Sequence, residues 1–130
     1  MRWVGTAVTV VGLVLAAGGC TQSDPGPSAG GAAPRAVAVT STEDGCDLSA
    51  DSAPAGTLTF TVSNEGAEVT EFYVLDETGG QVLGEVENVG PGLSRDLVVA
   101  LEEGTYTASC KPGMAGEGVS SVFTVEAGSD

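Results

Sequence analysis

An all-β sandwich of about seven short strands is the fold this sequence predicts. Three observations carry that expectation. Apolar and polar residues alternate with period two in several short runs, and turn-forming residues separate those runs at regular spacing. No stretch keeps the roughly 3.6-residue periodicity of a helix for longer than a turn or two.

The first run starts at Ala36, where Val37 and Val39 alternate with small or polar neighbours. In the next, Leu58, Phe60 and Val62 alternate with Thr57, Thr59, Thr61 and Ser63, which places β-branched threonines on the wet face of a pleated strand. Residues 69–76 and 81–89 supply a third and a fourth strand, and 94–101 carries Leu97, Val99 and Leu101 on one side. Residues 105–110 and 120–125 complete the set. The punctuation between them is Pro54-Ala55-Gly56, Asn64-Glu65-Gly66, Thr78-Gly79-Gly80, Gly90-Pro91-Gly92, Glu103-Gly104 and Pro112-Gly113. A single domain of this size buries a modest core, which a cross-link or a metal would reinforce.

The N-terminus has a different texture. Met1 and Arg2 form a short positive region, residues 3–15 are mostly apolar, and Ala16-Ala17-Gly18-Gly19 is the small-residue stretch that a signal peptidase accepts. The apolar run ends at Cys20 and is shorter than the roughly 20 residues needed to span a bilayer. Leu15-Ala16-Ala17-Gly18-Gly19-Cys20 resembles a bacterial lipobox, with Ala17 where leucine is commoner. Residues 1–19 are therefore expected to be a lipoprotein signal peptide, with cleavage before Cys20 and lipid on that cysteine. The chain would then sit at the extracytoplasmic face of the cell membrane. Residues 21–34, TQSDPGPSAGGAAP, hold nothing apolar larger than alanine or proline and read as a flexible linker, so that 20–35 tethers a folded domain over 36–127.

Without residues 1–19 the chain keeps three basic against eighteen acidic residues, a net charge of −15. Such a surface repels nucleic acid and anionic headgroups and favours cations or a basic partner. The sequence contains no histidine, which removes most catalytic triads, most zinc enzymes and ordinary blue-copper sites. No serine has a partner base and no Gly-rich phosphate loop opens a helix, so no enzyme is expected.

Cys46 and Cys110 are 64 residues apart, too far for a CxxC redox or zinc pair. In an exported domain they suit a structural disulfide, or else one or both are thiolate ligands to a metal. The segment Cys110-Lys111-Pro112-Gly113-Met114 bears on that choice. A cysteine at a strand end followed by a Pro-Gly turn and a methionine can offer thiolate and thioether to a soft metal, and it can equally be a turn with a gap-filling methionine.

Residues 56–66 (GTLTFTVSNEG), 69–76 (VTEFYVLD), 85–95 (EVENVGPGLSR) and 103–114 (EGTYTASCKPGM) together resemble the cupredoxin-like N-terminal domain of EfeO, the extracytoplasmic component of a bacterial iron-uptake system. The likeness extends over about 36–126. It implies a cupredoxin-like Greek-key sandwich and a metal position made of Glu71, Cys110 and Met114 with Cys46 nearby, binding copper or iron. It also implies a permease or peroxidase of an iron-uptake system as partner. Electron-transfer cupredoxins carry a histidine where this chain has Glu71, and another between the ligand cysteine and methionine. Both are missing here, which counts against blue-copper electron transfer. EfeO continues into a helical metal-binding domain that this sequence lacks, so the chain reads as a stand-alone EfeO-type domain on a lipid anchor.

Strand parity puts Glu71, Tyr73 and Leu75 on one face, opposite Phe72 and Val74. A carboxylate so placed calls for a metal, a hydrogen-bond donor or open solvent. Asp76, Glu77, Glu85 and Glu87 around the turn at 78–80 form a second candidate, a site for a hard cation or a solvated acidic edge. Tyr106, just after Gly104, resembles the corner tyrosine of many sandwiches. Two functions follow: a membrane-anchored module that binds copper or iron, or a metal-free structural or interaction lipoprotein with a Cys46–Cys110 disulfide.

Overall fold

The computed structural model describes Gly5 and residues 35–128. The cleavage site, Cys20 and the tether up to Pro34 lie outside the described residues. Nine strands follow in order: β1 (Ala36–Ser41), β2 (Cys46–Leu48), β3 (Ser52–Pro54), β4 (Gly56–Asn64), β5 (Thr70–Leu75), β6 (Val82–Val89), β7 (Ser94–Leu101), β8 (Gly104–Cys110) and β9 (Val119–Glu126). The one helical element among the described residues is a 3₁₀ turn at Pro112–Met114. The two strands beyond the expected seven are β2 and β3, each of 3 residues.

The strands form two sheets, ordered β2-β1-β4-β7 and β3-β9-β8-β5-β6. β1 runs parallel to β4, and β3 parallel to β9. The other pairs are antiparallel. Each sheet turns one face inward, as the alternation requires. Leu58, Phe60 and Val62 are fully buried, while Thr57 between the turn and the core is exposed. Phe60 bridges the sheets: its ring centroid lies 5.5 Å from Phe72 and 5.3 Å from Phe123, the second contact edge-on at 69°. Tilted and edge-on rings contribute beyond their buried area.

Several polar side chains are buried with partners. Ser41 and Thr70 share a hydroxyl hydrogen bond of 2.7 Å between the sheets. Asn64, 2 % exposed, donates from Nδ2 to Glu68 O at 2.6 Å and to Val89 O at 2.8 Å, and its Oδ1 accepts from Gly66 N at 2.8 Å. Its backbone also bonds Leu93 O and Gly92 N. The side chain thus ties the β4–β5 loop to the end of β6, and the backbone of the same residue holds the β6–β7 loop beside them. At another corner, Tyr106 Oη donates to Glu102 O at 2.7 Å, four residues upstream, in the corner-tyrosine manner.

Candidate functional site

The residues to place are Cys46, Cys110, Glu71 and Met114. Cys110 ends β8 with its side chain inward, paired in register with Phe72 of β5, and is fully buried. Cys46 opens β2 in the other sheet and is 5 % exposed. Their sulfurs are joined at 2.04 Å, with Cα atoms 5.5 Å apart. The disulfide alternative is therefore the arrangement found, and neither sulfur is a thiolate.

Glu71 lies elsewhere. The backbone of Glu71 exchanges hydrogen bonds with Lys111, at 2.8 Å and 3.4 Å. That pairing puts Glu71 and Lys111 on the outer face of the sheet, one position out of phase with Phe72 and Cys110. Glu71 is 7 % exposed, and its carboxylate accepts the Tyr73 hydroxyl at 2.5 Å. The partner that parity demanded for Glu71 is thus a hydrogen-bond donor two residues along its own strand. Met114 ends the 3₁₀ turn, which Gly113 N pins to Val69 O at 2.8 Å, and is 41 % exposed.

The expected ligand set is therefore not brought together. Two of its members are bonded to each other inside the sandwich, one faces the opposite side of the sheet, and one is in solvent. Among the described residues no three or more acidic, cysteine or histidine side chains converge as a metal would need. With thiolates and imidazoles both missing, these residues do not fit copper.

The acidic turn does not form a site either. Asp76 accepts Thr78 Oγ1 at 2.8 Å, Gly80 N at 2.9 Å and Gln81 N at 3.3 Å, so its carboxylate shapes the turn. The Thr78 hydroxyl, above all, holds its pKa below the usual carboxylate value. Glu85 projects from β6 opposite Tyr73, and a register irregularity follows it, with Asn88 at φ 58°. Asp76 and Glu85 are thereby committed to different neighbourhoods.

The outer face of the β9-β8-β5-β6 sheet holds a feature that sequence reading missed. Register places Val122, Thr107, Leu75 and Val82 in one row across four strands, and Ser120, Ser109, Tyr73 and Glu85 in the next. Lys111 and Glu71 stand beyond them, with Lys111 Nζ 4.8 Å from the Tyr73 ring centroid. The turn at Gly79 and the loop carrying Gly116 and Glu117 rise on either side, which encloses a groove of about 470 Å³. The signal available was the Tyr73–Leu75 face together with the sequence's one lysine, but only the register across three strand pairs joins them.

A two-sheet sandwich with parallel β1–β4 pairing and a cysteine closing the penultimate strand defines the cupredoxin class. The chain belongs to the cupredoxin-like domain family, whose model matches residues 8–125. No curated protein sequence matches the chain. Among solved structures it is similar to the dithionite-reduced auracyanin of the photosynthetic bacterium Roseiflexus castenholzii, at 20% identity and a TM-score of 0.58, covering 72% of this chain and 98% of that one. It is also similar to the azurin Az-iso2 of the obligate methylotroph Methylomonas sp. strain J, at 15% identity and a TM-score of 0.55, covering 70% of this chain and 97% of that one. These likenesses speak to the fold.

Proposed function

We propose that this chain is a lipid-anchored, extracytoplasmic cupredoxin-fold module that works through its surface, as an interaction or structural lipoprotein, with Cys46 and Cys110 kept as a disulfide. The observation that carries this reading is the placement of the donors: the Cys46–Cys110 bond lies inside the sandwich while Glu71 faces the other side of β5. Copper or iron at Glu71, Cys110, Met114 and Cys46 would require thiolates and that carboxylate turned into one pocket, and this packing offers neither.

The anchor rests on the basic start, the apolar run and the small residues before Cys20. The net charge of −14 suits a basic partner surface. The EfeO-type motifs favour a permease or peroxidase of an iron-uptake system as that partner.

Intact mass under non-reducing conditions tests the disulfide. No alkylation without reductant, and modification of both Cys46 and Cys110 after reduction, is the expected result. Equilibrium dialysis of the oxidised protein against copper and iron tests the rest. Stoichiometric binding that disappears in both Cys110→Ser and Glu71→Gln would overturn the proposal in favour of a metal carrier. Cys20→Ser is expected to move the protein from the membrane to the soluble fraction.

A further inference from the structure

We infer that the groove on the outer face of the β9-β8-β5-β6 sheet is a binding site for a small apolar zwitterion of the α-amino-acid type. Its lining divides into three chemistries. Leu75 and Val82 provide an apolar floor. Thr107, Ser109 and Ser120 provide hydroxyls, and Lys111 and Glu117 provide one charge of each sign. A volume of about 470 Å³ suits a ligand from a single amino acid up to a dipeptide.

The arrangement favours a carboxylate at Lys111. The ammonium lies over the Tyr73 ring, a contact that leaves its N–H donors free for a ligand. Ser120 Oγ donates to Ser109 Oγ at 3.1 Å, so the Ser109 proton remains for a second bond in the same place. The Glu71 carboxylate already accepts the Tyr73 hydroxyl. The ligand's ammonium goes to Glu117, in the same β8–β9 connection as Lys111. Along the strands, the row of Leu75 and Val82 lies two residues from the row of Tyr73, roughly 7 Å. That spacing places an aliphatic side chain on the apolar row when the carboxylate sits above Tyr73.

The loop that carries Glu117 is built against this site. Gly118, at φ +78°, lets the chain pass close to the stem of Lys111, where an added Cβ would come within 2.9 Å of Lys111 Cγ and 3.0 Å of Ser109 Oγ. Both charged residues are thereby held in the β8–β9 connection, at one end of the groove. A zwitterion meets both charges at that end, whereas a single-signed ligand would satisfy one and be opposed by the other.

The test titrates the full chain, in a constant concentration of non-ionic detergent, with L-leucine while backbone amide shifts are followed by NMR. Saturable shifts at Leu75, Ser109 and Ser120 are expected. Three matched compounds dissect the recognition: 4-methylpentanoate lacks the ammonium, 3-methylbutylamine lacks the carboxylate, and glycine lacks the side chain. Each is expected to bind about tenfold more weakly or worse. Lys111→Gln and Glu117→Gln should each weaken leucine binding to a similar degree, and Thr61→Ala on the other sheet should leave it unchanged. The inference is overturned if leucine produces no saturable shift, if either single-charge compound binds as tightly, or if both groove variants bind as wild type does.

Discussion

The disulfide joins Cys46, on an edge strand of one sheet, to Cys110, on the central strand of the other. It closes a loop of 64 residues across the core, beside Phe72. Closing a loop of that length restricts the unfolded chain, a stabilisation of roughly 4 kcal/mol. The double variant Cys46→Ala/Cys110→Ala is therefore expected to lose about that much in urea unfolding. Reducing agent should lower the wild-type midpoint and leave the variant untouched. A reduced wild type as stable as the oxidised one would refute a stabilising role.

Tyr73 gives the pH prediction. The Glu71 carboxylate accepting its proton raises the phenol well above the ordinary tyrosine pKa, and burial and the charges of Glu71, Glu85 and Glu87 act in the same direction. A folded-state pKa raised above the unfolded value means that the native state holds its proton longer. The stability so contributed is complete below about pH 10 and is lost as pH rises beyond it. The Cζ resonance of Tyr73 is expected to show no ionisation at pH 10, and Glu71→Gln should bring its ionisation down toward the ordinary range. Ionisation of wild-type Tyr73 at its ordinary pH would mean that the Glu71 hydrogen bond is not kept in solution.

Much of the architecture was legible because it is local. The alternation at 57–63 identifies β4 and its inward face within the strand itself, and the turn residues locate most of the other boundaries. β2 and β3 were not legible because three residues carry no readable period. They are strands only because β1 and β9 lie beside them. The site divides along the same line. That Glu71 shares a face with Tyr73 follows from parity, and so does the need for a partner. That Cys110 turns to the opposite face depends on the β5–β8 register, Phe72 against Cys110, which pairs residues 38 apart and has no local signature. The groove depends on three such registers at once.

Asn64 is expected to be the costliest polar residue to remove. All three of its side-chain hydrogen bonds go to backbone groups, two in the β4–β5 loop and one at the end of β6, and the residue is almost fully buried. Asn64→Ala leaves Glu68 O, Val89 O and Gly66 N to find other partners. At about 1 kcal/mol per bond, the loss is about 3 kcal/mol. Hydrogen exchange should quicken at Gly92, whose amide bonds the Asn64 backbone oxygen, as well as at Gly66, because the side chain fixes the position of that backbone between the β4–β5 loop and the end of β6. Faster exchange confined to the β4–β5 loop would mean that the two loops are held independently.

Gly116 and Gly118 separate backbone strain from steric contact within one loop. Both are in the left-handed region, at φ +76° and +78°. A Cβ on Gly116 meets nothing within 4 Å, so Gly116→Ala carries only the conformational cost, about 1 kcal/mol. A Cβ on Gly118 would run into the carbonyl oxygen of Cys110 and press on the Lys111 stem. Gly118→Ala is therefore expected to cost about 1–3 kcal/mol more than its neighbour. It should also shift the Tyr73 ring resonances, because the added Cβ presses on the stem of the lysine whose ammonium lies over that ring. Equal losses for the two variants, with Tyr73 unmoved, would show that the loop stands away from Lys111 and that the groove wall is not held as described.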